Sequence, residues 1–178
     1  MRRSIRPLLA VFAPLLFTFC SDNNVNVVPI ANGSVSILDE CDPASFNAAV
    51  GPGTCVRQGS VTFAQFSTEL ATNHSVAEWR FDPDALTISL GGQIAATNQG
   101  GEVHTFTEVA AFGGGIDATL NSASNNPVEA PECAAISSAD MIQPGATFKT
   151  GATTTRGTHL YQCCIHPWER ETVTVTNP

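Results

Sequence analysis

Two cysteines stand side by side near the end of the chain, Cys163 and Cys164, in the stretch YQCCIHPWER from Tyr161 to Arg170. A strand-like run, HLYQ, leads into them and another, TVTVTN, follows. Neighbours on a strand point to opposite faces. The two thiols therefore cannot share one role, because one faces the inside of a sheet structure and the other faces outward or toward a loop. A fold for this chain must place distinct sulfur chemistry on the two sides of one strand.

The rest of the sequence is read for strands to match. Lys149 is the only lysine, and Val, Thr, Phe, Gly and Pro recur, which favours strands joined by turns. WRFDPDALTISLGG alternates Leu86, Ile88 and Leu90 before Gly91 and Gly92. QIAATNQGG predicts a further short strand and turn. EVHTFTEVAAF sets Val103, Thr105 and Thr107 on one face and His104, Phe106 and Glu108 on the other. GGG and NSASNNPVEAPEC form a long loop, and IQPGATFKT is a turn entering a strand. VTFAQFSTEL is the exception: Phe63, Phe66 and Leu70 fall at i, i+3 and i+7, which predicts a short amphipathic helix. The strands are short and closely spaced, with no βαβ pattern, so the expectation is an all-β antiparallel sandwich or barrel. No internal repeat, P-loop or dinucleotide fingerprint is present.

Residues 1–20 read as an export signal, MRRSIR being the charged start and PLLAVFAPLLFTF an apolar run too short and Pro-broken to span a bilayer. Cys20 followed by SDNN has the arrangement of a lipidated cysteine, although Phe19 before it is bulkier than such sites take. A plain signal cut further on, or an uncleaved anchor, is the alternative. Residues 21–75 read as an N-terminal extension, with 21–40 as a tether or accessory edge strand, and 76–178 as the main domain. An extracytoplasmic location follows, with membrane contact only through the N-terminus. Three of the eight basic residues, Arg2, Arg3 and Arg6, lie in the signal, which leaves five against sixteen acidic residues. Such a surface repels phosphate backbones and excludes nucleic acid as a partner.

His166 follows Cys163 by three positions, so on a strand-to-loop bend both reach one metal ion. His104, within a strand-like run, is the best third donor. His74 lies in a polar turn and reads as solvated, and His159 as a strand or loop histidine. One thiolate and two imidazoles suit Cu(I) and Cu(II) alike and make the donor set of a mononuclear electron-transfer copper. Structural zinc generally asks for four strong ligands.

GEVHTF, then PGATF, then YQCCIHPW with a terminal TVTV strand resembles the cupredoxin family of small copper proteins, over roughly Trp79 to Val175. The Cys-x-x-His-Pro-aromatic loop is similar to the short ligand loop of the amicyanin type. The resemblance implies a Greek-key β-sandwich, here with a short N-terminal helical extension, holding one copper per chain through His104, Cys163 and His166. It further implies a Thr105 backbone N–H aimed at the thiolate, an exposed His166 flanked by Pro167 and Trp168, and one-electron exchange with a redox partner protein. Where the short-loop pattern has an axial methionine, this chain has Glu169. Three readings stay open at that position: an axial carboxylate on copper, a carboxylate facing solvent, or a fold that has lost its metal. The functions in play are a one-electron carrier, a glutamate-liganded copper with an open position for small-molecule binding or catalysis, and a metal-free surface module. With Cys163 assigned to metal by the resemblance and Cys20 to the signal or lipid, the four remaining cysteines are read as the disulfides Cys41–Cys55 and Cys133–Cys164, a different pairing or Cys164 as a second ligand being the alternatives. The first closes a local loop, a constraint of about 3 kcal/mol in the chain-entropy account. The second staples the long loop to the ligand strand from its other face.

Overall fold

The structure is a computed structural model, and it describes residues 30–178. The signal and lipidation expectations at residues 1–20 lie outside the described residues.

Among the described residues, eight strands form two four-stranded sheets. The first sheet has the order β2-β1-β4-β6, from β1 (Gly33–Leu38), β2 (Arg80–Asp82), β4 (Ile94–Asn98) and β6 (Thr147–Lys149). The second has the order β3-β8-β7-β5, from β3 (Ala85–Ser89), β5 (Thr107–Val109), β7 (Gly157–Gln162) and β8 (Arg170–Thr176). Between the sheets lie Val35, Ile37, Phe81, Ile88, Ile94, Phe106, Val173 and Val175, all buried. Period-2 alternation produces this layer, because every second residue of each strand turns inward.

Two expectations are corrected. The sheets are mixed: β1 runs parallel to β4 and β3 runs parallel to β8. Residues 33–38 are no tether or accessory edge either, because β1 is an inner strand paired on both sides. The sandwich therefore begins before residue 76, the expected boundary. Val35 and Ile37 are buried while Ser34 and Ser36 face away, which is the alternation of a strand over a core. Its parallel partner lies some sixty residues on, so nothing local announces the pairing.

The helix expected from Phe63, Phe66 and Leu70 is α2 (Phe63–Asn73), after α1 (Pro43–Ala49) and before α3 (Ala118–Ala123). Thr62 caps α2, with Gln65 returning the bond to the Thr62 backbone. Phe66 and Leu70 are buried with Phe46, Val76 and Trp79 in a second apolar cluster, which Trp168 joins. The helices thus lie over the sandwich end that carries the ligand loop. The disulfide Cys41–Cys55 is buried in that cluster. Among the described residues no helix is long and apolar enough to cross a membrane.

The adjacent cysteines divide as strand geometry requires. Cys163 faces the inter-sheet core. Cys164 faces a third cluster with Val109 and Ala130, where it is bonded to Cys133.

One core position carries a penalty. Glu171 on β8 is fully buried, and neither carboxylate oxygen has a hydrogen-bond partner. Burial, with Asp84 and Asp82 nearby, pushes its pKa up to about 8. An unfolded chain loses this proton near the ordinary value of 4.5, while the folded chain keeps it to about 8. Stability therefore falls as pH rises through that window. Glu171→Met is expected to stabilise the protein at pH 8, on the order of 2 kcal/mol, with a smaller gain at pH 5. Urea midpoints at both pH values measure this, and an equal gain at the two would refute the account.

Candidate metal centre

His104 is set in place by a backbone bridge to Ile142: its N–H donates to the Ile142 carbonyl at 3.2 Å and its carbonyl accepts from Ile142 at 2.8 Å. The ring is completely buried. Its Nε2 lies 2.8 Å from Asp39 Oδ2. Asp39 follows β1 and is itself held by backbone N–H groups of Gly101 at 2.9 Å, Glu102 at 3.0 Å and Cys41 at 3.3 Å. This packing explains the glycine pair before GluValHis. A Cβ on Gly100 would run into the Asp39 carboxylate, and one on Gly101 would sit 2.6 Å from Cys41 Sγ.

Cys163 directly follows β7 and opens a tight loop. Its N–H donates to the Glu169 carbonyl at 3.1 Å, and the Glu169 N–H donates to the His166 carbonyl at 2.9 Å. The Cys163 sulfur accepts N–H bonds from Thr105 and from His166, both at 3.4 Å. On the other face, Cys164 N–H donates to Thr105 Oγ1 at 2.7 Å. Thr105 therefore reaches both cysteines, its backbone to one and its side chain to the next.

Four buried donors converge: His104, Cys163, His166 and Glu169 offer one ligand atom each, all within 4.8 Å of one another. The two imidazoles meet through Nδ1 atoms 3.3 Å apart. Each Nδ1 is 3.9 Å from Cys163 Sγ. Glu169 Oε2 is 3.0 Å from His104 Nδ1, while Oε1 is buried without a partner. The far nitrogens face carboxylates, His104 on Asp39 and His166 Nε2 at 3.5 Å from Glu102 Oε2. With a cation at the meeting point, a carboxylate at Nε2 would keep the proton there and leave the Nδ1 lone pair to the metal, the usual arrangement behind a metal-binding histidine. Two such lone pairs, a sulfur and a carboxylate facing one point call for a cation between them.

The charges agree. Burial alone would lower His104, but Glu169, Asp39 and Cys163 outweigh it and hold the imidazole well above its ordinary range. Burial would raise Cys163, and His104 with the two backbone N–H groups brings it below the usual thiol value. Burial pushes Glu169 up to about 7 and lowers His166. Burial also works to raise Asp39, yet its bond to His104 carries it down to about 2.

Glu169 is 1% exposed, so the reading in which it faces solvent is excluded. The expected exposure of His166 is corrected as well, because the ring is 4% exposed. Trp168 lies against it at 5.5 Å between ring centroids and reaches Phe66 of α2 at 6.0 Å. The helices roof the apolar end that the resemblance leaves open. Pro167 is buried in the loop. His74 stands outside the centre, exposed, with Nδ1 2.8 Å from the Ala123 carbonyl. His159 lies on β7 with Nδ1 2.7 Å from Glu108 Oε1. Asp39, Glu102 and Trp79, whose Nε1–H donates to Glu102 at 2.8 Å, are the site residues that sequence reasoning missed. Glu102 stands two before His104, the spacing of one strand face, and that was a usable signal. Asp39 is 65 residues from His104 and had none.

No protein-family model and no curated protein matches the sequence. Among solved structures, the chain is similar to a novel purple cupredoxin from Nitrosopumilus maritimus, at 15% identity over 82% of this chain and 100% of that one, with a TM-score of 0.46. It is also similar to oxidized plastocyanin from Dryopteris crassirhizoma, at 20% identity over 81% and 100%, TM-score 0.41. A reduced Cu(I) amicyanin variant matches at 19% identity over 57% and 78%, TM-score 0.39.

The Asp39–His104 bond carries a sign. A carboxyl depressed from 3.8 to about 2 contributes stability above its unfolded value and loses it as pH falls toward 2. Asp39→Ala is expected to cost about 3 kcal/mol at pH 7, since it leaves a buried imidazole without its partner. The gap to the natural protein should narrow below pH 4. Denaturant titrations of the metal-free protein test this; a cost independent of pH would assign the loss to packing.

Proposed function

We propose that the protein holds one copper ion through His104, Cys163, His166 and Glu169 and serves as a one-electron carrier. The observation that carries this is the meeting of two carboxylate-backed imidazoles with a thiol and a carboxylate at one buried point. Copper supplies a Cu(II)/Cu(I) couple there, and a thiolate with two imidazoles suits both states. Asp39 and Glu102 hold the two rings in orientation. Thr105 and His166 N–H groups share the sulfur's charge. Glu169 adds a hard, negative donor that favours the more highly charged state. The Cys133–Cys164 bond ties the loop from behind, so the donors change position little between states.

All four donor residues are buried, with His166 bordering a cleft, which supports a carrier over an open catalytic site. The unpartnered Glu169 oxygen argues against a metal-free module, because a buried carboxylate without a use is costly. Two disulfides fit an oxidising compartment, and with them an exported protein. The acidic balance favours a basic redox partner.

Copper titration is expected to saturate at one equivalent, with an intense thiolate-to-Cu(II) band that Cys163→Ser abolishes. Tight zinc binding with no such band under copper would overturn the reading. Glu169→Met should raise the reduction potential and move the colour toward blue; an unchanged spectrum would remove Glu169 from the site. Protons and metal compete for these groups. Glu169 is held to about 7, so apparent affinity should rise from pH 6 to pH 8 in competition titrations.

A further inference from the structure

The helices that roof the centre leave a cleft of about 500 Å³ between themselves and the α3 side. Phe46, Phe66 and Leu70 line one wall, and Leu120 and Ile165 the other. Its most buried polar groups are His166 and Glu102, at 4% and 7% exposure. Glu102 Oε2 accepts the Trp79 indole N–H and lies 3.5 Å from His166 Nε2. Its Oε1 has no hydrogen-bond partner among the described residues. Among the described residues no Lys or Arg lines the cleft. Its other acid, Asp117, is exposed and accepts the N–H groups of Thr119 and Leu120 as the cap of α3.

We infer that this cleft is a binding site for a small neutral aromatic molecule bearing one hydroxyl or amino donor, which Glu102 Oε1 receives. The volume lies in the range of small-molecule pockets and suits one or two rings. The wall is built from rings already packed edge to face, Phe46 on Phe63 at 5.4 Å and on Phe66 at 5.5 Å between centroids. Flat aromatic ligands extend such packing. A lone carboxylate acceptor at the base, with no cation, selects for a donor and against an anion. A site built around a hydrogen bond discriminates strongly against the analogue that lacks it. The ligand would rest against the Glu102 and His166 side of the centre, away from the converging donors. The chain's own helices cover that side, so a small molecule reaches His166 where a protein surface does not. The binding claim stands apart from the copper reading, because it is measured without metal.

The probe is 2-naphthol, titrated by calorimetry into the purified protein freed of metal by chelation. Saturable one-to-one binding is expected, at least tenfold tighter than for 2-methoxynaphthalene, which has the same rings and no donor, and than for 2-naphthoate. Glu102→Gln should erase the preference for the hydroxyl while leaving the weaker binding of the ether. The indole N–H resonance of Trp79 should shift with 2-naphthol. Leu120→Trp fills the cleft and should abolish binding; if that variant does not fold, Ser67→Trp on the opposite wall replaces it. Equal binding of naphthol and ether, tighter binding of the naphthoate, no binding of any probe, or binding that survives both tryptophan variants overturns the proposal. Copper titration of the same samples separates failure here from failure of the metal centre.

Discussion

The contact between His104 and Asp39 organises the rest. A fully buried imidazole is unfavourable unless both nitrogens are satisfied. Here one nitrogen is bound to a carboxylate that three backbone N–H groups already hold. That single bond joins the end of β1 to the segment carrying His104, and so ties the N-terminal part of the chain to the site. It also settles which nitrogen turns inward. The glycine pair, the position of the Cys41 backbone and the placement of Glu102 follow from making room for it.

Around this tie the molecule is arranged in two halves with different roles. The sandwich supplies rigidity: Cys163 projects into its core and Cys164 is pinned from the opposite face. The helices supply cover. By packing Phe66 beside Trp168 and against Trp79, they lower the polarity around His166 and convert a surface histidine into one reached through a cleft. A covered site strengthens every electrostatic interaction inside it: the neighbouring Glu169 and Asp39 raise His104 against its burial, while burial itself raises Glu169.

Much of the strand layout was legible in the sequence because alternation is a local signal. Leu86–Ile88, the TVTV run and the helix from Phe63 to Leu70 each declared themselves within a few residues. The site was legible where its members lie close together, as Cys163 and His166 do, whereas the role of Glu169 beside them stayed open. Parallel pairing of β1 with β4 left no trace, since a period-2 pattern states which face is buried and says nothing of the neighbour. The roof over His166 was likewise hidden, because the apolar stripe of α2 announces a buried face without naming what it meets.

Composition and spacing alone determined a strand-rich chain with opposite-facing thiols and a histidine three residues beyond the first, and the resemblance marked Glu169 as an acid where it implies a soft donor. The tertiary structure decided that His104 reaches that pair, that Glu169 turns inward, and that Asp39 and Glu102 stand behind the rings. The reason is physical. Alternation and loop spacing act over a few residues, whereas convergence at a buried point depends on which strands lie side by side, and that is set by packing between distant segments.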